Sequence, residues 1–179
     1  MLILALPAFA QDDEPGLAEI SYNGSMRGNA PNYVKGKPVS VSHSGGNIQV
    51  RCMDVDKLFA VVQYTVYGTQ EGPMESMGNG YGVAVYGDSK VGSVKTRVPS
   101  KPSGVTRAEA DLTVNIPAGI AGLTVTQSGK GWVQVLGCSG IVKIGAGAGG
   151  AYAEGAWTGG AITAAGGDVK LEQIGRAHV

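Results

Sequence analysis

The sequence predicts an all-β fold whose last third winds short strands into a parallel β-solenoid or β-roll, with longer strands before it. Three observations carry that expectation. From Pro38 onward apolar residues recur with period two, as they do on a half-buried pleated strand. Gly supplies 30 of the 179 residues without the strict every-third spacing of collagen. Beyond residue 119, short apolar segments restart every eight to ten residues between Gly-rich turns. No stretch keeps apolar residues at helical spacing without Gly or Pro interrupting it.

Composition sets outer limits. A hydrophobic share of 43% argues against disorder. The 14 basic and 14 acidic residues cancel, so there is no charge footprint for nucleic acid or anionic lipid. Two His and two Cys are too few for a multi-ligand zinc or iron–sulfur site, and no cofactor is expected.

Residues 1–10 are an apolar run ending Ala8-Phe9-Ala10, followed by polar Gln11, Asp12, Asp13 and Glu14. That reads as the back half of a secretory signal peptide, without its positive n-region. An ordinary buried N-terminal strand is the alternative. The run is shorter than the roughly 20 apolar residues a bilayer demands, so no transmembrane segment is visible. Gln11, where a lipid-anchored protein would carry Cys, argues against that variant. The expectation is an exported protein of the periplasm, outer-membrane surface or extracellular space, maturing near Gln11.

Residues 11–36 are polar and rich in turn formers such as Asn23-Gly24 and Pro31-Asn32, and are expected to be a leader with little structure. A single domain is expected over 37–172. Val39 and Val41 alternate with Ser40 and Ser42, and Ile48, Val50 and Cys52 with Gln49 and Arg51. Residues 58–67 are dense in Val, Tyr, Phe and Thr, which suit a pleated surface. Further strands are expected over 81–86, 91–98 and 110–116.

The solenoid part is expected over about 119–172. Its segments begin at Leu123, Trp132, Ile141, Ala151, Ala161 and Val169. Strands this short cannot bury their own apolar faces, so stacked turns would cover one another. The register puts Val133, Val135, Val142, Ile144, Ile162, Val169 and Leu171 inward and Gln134, Lys143 and Lys170 outward. An antiparallel meander with tight turns uses the same residues and stays open. Residues 173–179 read as an artefact. Ile174-Gly175-Arg176-Ala177-His178-Val179 is what ATC GGA AGA GCA CAC GTC encodes, a string resembling a short-read sequencing adapter whose preceding bases complete the Gln173 codon.

Ser44-Gly45-Gly46-Asn47-Ile48-Gln49-Val50 with its following Asp-containing turn, Leu112-Thr113-Val114-Asn115-Ile116-Pro117, and Gly166-Gly167-Asp168-Val169-Lys170-Leu171 together resemble the putative adhesin family of bacterial domains of unknown function. The resemblance covers roughly residues 37–172. It implies an exported or envelope protein built as a Gly-turned parallel β-solenoid, with no catalytic residues to carry over. The Ala- and Gly-heavy stretch over 145–167 departs from the family pattern.

Several motifs invite chemistry. Gly145-Ala146-Gly147-Ala148-Gly149-Gly150 matches G-x-G-x-x-G, but a dinucleotide site needs that turn to open a helix, and Gly155, Gly159 and Gly160 follow. Gly166-Gly167-Asp168 has the form of a calcium-binding β-roll repeat, yet Glu154, Asp168 and Glu172 are the only acids between Gly119 and Glu172. Asp54 and Asp56, beside Arg51 and Lys57, read as a solvated turn. His43 has Ser42 and Ser44 as neighbours, which point to the opposite strand face, so no triad forms there. No catalytic, cofactor-binding or metal-binding residue is assigned. Trp132, Tyr152 and Trp157 are candidate carbohydrate contacts if they share an exposed face. Cys52 and Cys138 are a candidate disulfide in an oxidising compartment, with a buried free thiol at Cys52 as the alternative. The function these features suggest is an exported, non-enzymatic envelope protein with a structural or adhesive role. Its partner would be envelope polysaccharide or another envelope protein. A periplasmic carbohydrate-binding module is the second reading, and a polysaccharide-active enzyme the third.

Overall fold

The structure is a computed structural model that describes residues 18–173; the signal-peptide reading and the adapter-like residues 174–179 lie outside them. Eleven strands and one helix make up the described chain. Nine strands lie on one hydrogen-bonded path, and its two ends approach each other, so the mixed sheet curls into a nearly closed barrel. The path starts with β1 (Ile20–Ala30), which pairs antiparallel with β4 (Leu58–Gly68), itself antiparallel to β7 (Val105–Pro117). Its far end is β5 (Gly82–Gly87), antiparallel to β6 (Gly92–Arg97). The seam closes where β1 meets β5. A Cβ on Gly28 would lie 2.8 Å from Val85 Cγ2, so only a residue without one allows that approach.

Between these ends every pairing is parallel. β2 (Val39–His43) lies between β6 and β8 (Gly122–Gln127), and β3 (Ile48–Met53) between β7 and β9 (Val133–Ala146). β9 turns a corner at Gly137 and Gly140, whose φ values of 69° and 83° are left-handed and suit Gly. Its first part pairs with β3 and its second with β8. β10 (Ala151–Ala164) follows β9 round the same corner, with register shifts near Gly155 and Gly159, and β11 (Val169–Gln173) pairs with the start of β10.

The short segments therefore do not pair with their immediate successors. Each pairs with the segment after next: Val133 lies opposite Ala151 and Ala151 opposite Val169, eighteen residues on each time. Two parallel ladders result. Leu112, Ile48, Val133, Ala151 and Val169 line one, and Val94, Val41, Val125, Ile144 and Ile162 the other. Period-two alternation turns these residues to a shared interior, and Leu112, Ile48, Val133, Ala151, Val94, Val41, Val125 and Ile144 are nearly fully buried. The expected inward set holds for Val133, Val135, Val142 and Ile144. Val169 and Leu171 are 44% and 54% exposed, because β11 is an edge with no further described strand to cover it.

Two segments differ from the expectation. Residues 20–30, expected as part of a leader with little structure of its own, form β1. Its polar residues face out, and Tyr22, Gly24, Met26 and Gly28 take the half-buried positions. A strand with two Gly on its inner face has no apolar alternation to see; its neighbours supply the cover. The second is a helix, α1 (Glu71–Gly80), where none was expected. Three Gly and a Pro in ten residues are poor helix material. Tertiary packing overrides propensity here: Met74 and Met77, three apart, are buried, and Gly78 rests against the rings of Tyr22 and Tyr64. Tyr64 in turn stacks on Tyr81, ring centres 4.5 Å apart.

Candidate functional site

The outward residues of β7, β3, β9, β10 and β11 form one continuous sheet face. Register places Thr113, Gln49, Gln134, Tyr152 and Lys170 in one row across these strands, and Arg51, Leu136, Glu154 and Glu172 in the next. Trp132 stands two residues before Gln134, on the same side of the sheet and one strand from Tyr152. The residue is 43% exposed.

Polar contacts link the residues of this face. Asn47 accepts the Trp132 N–H through Oδ1 at 3.1 Å, while its own N–H donates to Asp111 Oδ1 at 2.8 Å. Gln49 Nε2 donates to Gln134 Oε1 at 2.6 Å, an amide ladder between neighbouring strands. The Tyr152 hydroxyl reaches Glu154 Oε2 and Glu172 Oε2, each at 3.0 Å. Lys170 Nζ bonds Glu172 Oε1 at 2.6 Å and lies 5.6 Å from the Tyr152 ring centre. Its ammonium holds the Glu172 carboxyl below the usual range, with the Tyr152 hydroxyl adding to the effect. The Tyr152 hydroxyl is pushed up to about 12, first by its bond to Glu172. Tyr152 is thus a neutral donor at any ordinary pH, and its ring is fixed in place by its own hydroxyl.

This arrangement can stack a ring or an apolar edge and offer carboxylate and amide partners around it. It offers no activated nucleophile. Among the described residues no group of three or more His, Cys, Asp or Glu could hold a metal ion. His43 is 1% exposed and both ring nitrogens are engaged: Nδ1 with Thr96 Oγ1 and Nε2 with the Ala110 carbonyl, each at 2.7 Å. A carbonyl only accepts, so Nε2 carries the proton and Nδ1 accepts from the Thr96 hydroxyl. Burial holds the His43 imidazole below its usual value. It is a brace between β2, β6 and β7.

The three aromatic candidates separate. Trp132 and Tyr152 share the outer face, whereas Trp157 sits at the corner of β10 and packs against the core. There it borders a cavity of about 300 Å³ with Val142, Ile162 and Leu171. Cys52 and Cys138 meet, with sulfurs 2.12 Å apart and Cα atoms 4.8 Å apart, joining β3 to the corner of β9. The turn over 147–150 leads from β9 into β10, a strand, so the Gly145–Gly150 motif opens no helix. Sequence reasoning missed the frame around Tyr152. Lys170 and Gln134 were legible as outward, but their meeting with Glu154 and Glu172 depends on the eighteen-residue pairing.

No protein-family model matches the chain, and no curated protein does. Among solved structures it is similar to a putative cell adhesion protein from Clostridium sporogenes, at 10% identity and a TM-score of 0.45, over 85% of this chain and 100% of that one. A putative adhesin from Parabacteroides distasonis is 13% identical with a TM-score of 0.32, over 85% and 77% of the two chains. One from Parabacteroides merdae is 8% identical with a TM-score of 0.27, over 86% and 96%. Similarity this low is no guide to activity, and the chemistry is read from this chain's own residues.

Proposed function

We propose that this is an exported, non-enzymatic envelope protein that acts by surface contact, its outer sheet face docking on envelope polysaccharide or another envelope protein. The observation that carries the reading is the exposed Trp132, placed diagonally across one strand from Tyr152 on an outer sheet face that also carries Gln49, Gln134, Glu154 and Glu172. The buried, doubly bonded His43 supports a non-enzymatic role, since it is withheld from substrate. Export is supported by the paired Cys52 and Cys138, a linkage that oxidising compartments preserve. No helix among the described residues is long and apolar enough to cross a membrane. The parallel pairing of β9, β10 and β11 supports a solenoid-like reading of this end, each turn adding one strand to each ladder.

The exposed Trp132 beside Tyr152 also favours the second reading, a carbohydrate-binding module, because C–H edges of a sugar ring stack on such faces. Depletion assays on insoluble envelope polysaccharide and on polysaccharide-free envelope protein separate the two. Trp132→Ala should weaken binding about tenfold or more on whichever surface is the partner. Undiminished binding by Trp132→Ala and Tyr152→Ala on both surfaces would exclude this face.

A further inference from the structure

Equal numbers of acidic and basic residues hide a separation of charge between the two ladders. β5, β6, β2, β8 and residues 141–146 of β9 contain neither Asp nor Glu. Lys95, Arg97 and Lys143 are exposed on this acid-free side, and none forms an ion pair among the described residues. Register sets Arg97 opposite Gly82 and Lys95 opposite Ala84. Side chains that end at or before Cβ leave room beside the two cations, a trough of about 490 Å³ over the β5–β6 pair. Arg97 is oriented there: its Nε donates to the Gly80 carbonyl at 2.9 Å, and its terminal nitrogens have no partner among the described residues. Lys95 stands two residues away on the same side, about 7 Å along the strand. Tyr86, the next outward residue on β5 after Ala84, is 56% exposed and donates its hydroxyl to Asp88 Oδ2 at 2.7 Å. Asp88 lies in the turn beyond, where the amides of Lys90 and Val91 also bond its carboxylate. Across the sheet from Lys95 the row continues through Ser42 and Thr126, both exposed.

We propose that this trough binds a uronate-bearing polysaccharide, Arg97 gripping one carboxylate, Lys95 the next, and Tyr86 stacking on a sugar ring. The planar guanidinium fork matches the two oxygens of a carboxylate, and the bond from Nε to Gly80 leaves both terminal nitrogens for that grip. The groups follow one another along the strands: Tyr86 beside Ser93, then Lys95, then Arg97. An extended glycan with a carboxylate on successive sugars meets them in that order. The C–H edge of a sugar ring suits the Tyr86 face, and sugar hydroxyls find Ser42 and Thr126, which both donate and accept. Single-stranded nucleic acid is held by successive aromatic faces and a long cationic track, whereas one Tyr stands alone here beside two cations. The trough lies on the other ladder from Trp132 and Tyr152, so this inference does not rest on the role given to that face.

Titration calorimetry of the full chain with polygalacturonate tests this, with the methyl-esterified polymer as the matched uncharged probe. The acid form should bind, and the ester about tenfold more weakly or worse. Arg97→Gln should weaken binding of the acid form about tenfold or more. Arg97→Lys should recover only part of that loss, because the charge returns without the fork. Lys95→Gln should cost about threefold. Lys95 has no hydrogen-bond partner among the described residues, so this variant should melt with the wild type and reads the site even where Arg97 substitutions disturb Gly80. Added salt should weaken binding throughout. Trp132→Ala should bind polygalacturonate as the wild type does, which separates this trough from the other face. Equal affinity for the acid and ester forms, or Arg97 and Lys95 variants that bind like the wild type, would overturn the proposal. So would a wild-type chain that ignores polygalacturonate, or one that binds oligothymidylate more tightly.

Discussion

The antiparallel side of the barrel and the parallel run β9–β10–β11 follow the same period-two alternation with different results. In β4 the inward residues Leu58, Ala60, Val62, Tyr64 and Val66 are all buried, and eleven consecutive residues pair with β1 without a break. Along the parallel run the inward ladder shrinks from Leu112, Ile48 and Val133 to Ala151, then ends at an exposed Val169. Register also slips twice in β10. Alternation therefore orients side chains, but it stabilises only where an opposing surface of sufficient bulk covers them. The antiparallel side has that cover in α1 and the stacked tyrosines; the end of the parallel run has Gly and Ala.

The largest expected effect comes from cutting the link that fastens the corner of β9 to β3, the strand between the parallel run and the antiparallel side. On the chain-entropy model the Cys52–Cys138 link, closing a loop of sequence separation 86, contributes about 4–5 kcal/mol, less any strain. Cys138→Ala should therefore lower stability in urea by several kcal/mol. Thiol labelling of unreduced, denatured protein should find no free cysteine, and two labels per chain would remove the link from the account. Next in size, Leu112→Ala should cost about 2–5 kcal/mol, while Leu171→Ala should cost under about 0.5 kcal/mol. Equal losses would mean that the two regions share one continuous core.

A smaller effect concerns the buried imidazole. Thr96→Val leaves His43 Nδ1 without its donor and should cost about 1–3 kcal/mol. The sign of the pH dependence is fixed by the lowered folded-state value of His43. The unfolded chain takes up the proton first as pH falls past about 6.5, so the stability due to this group is complete above that pH. It is lost progressively between that pH and the lower folded value. Stability that rises on acidification through this window would contradict the assignment. Smallest of all, β11 amides should exchange with solvent before those of β4, measurable by hydrogen-exchange mass spectrometry.

Much of the strand pattern was legible because Val39 to Val50, Val62 and Val133 to Ile144 alternate openly. What could not be read had no local signal. β1 carries Gly24 and Gly28 where apolar residues would reveal a strand, and both positions are set by neighbours: the Tyr64 hydroxyl and Val85 occupy the space. The helix over Glu71–Gly80 is held by two methionines and by close contact of Gly78 with rings more than ten residues distant. For the outer face, Trp132 and Tyr152 could be picked out as aromatic. That they are neighbours while Trp157 turns away follows from the corner in β10, where Gly155 lies against the indole.

The joint between β3 and the corner of β9 has a mechanical consequence. A pulling load entering through β1 and leaving through β11 would reach Cys52 and pass straight to Cys138. The residues between them would carry no tension, and roughly 300 Å of contour length would stay locked out of the stretched molecule until the bond was reduced. A chain so wired yields a short tether in an oxidising medium and a long one in a reducing medium.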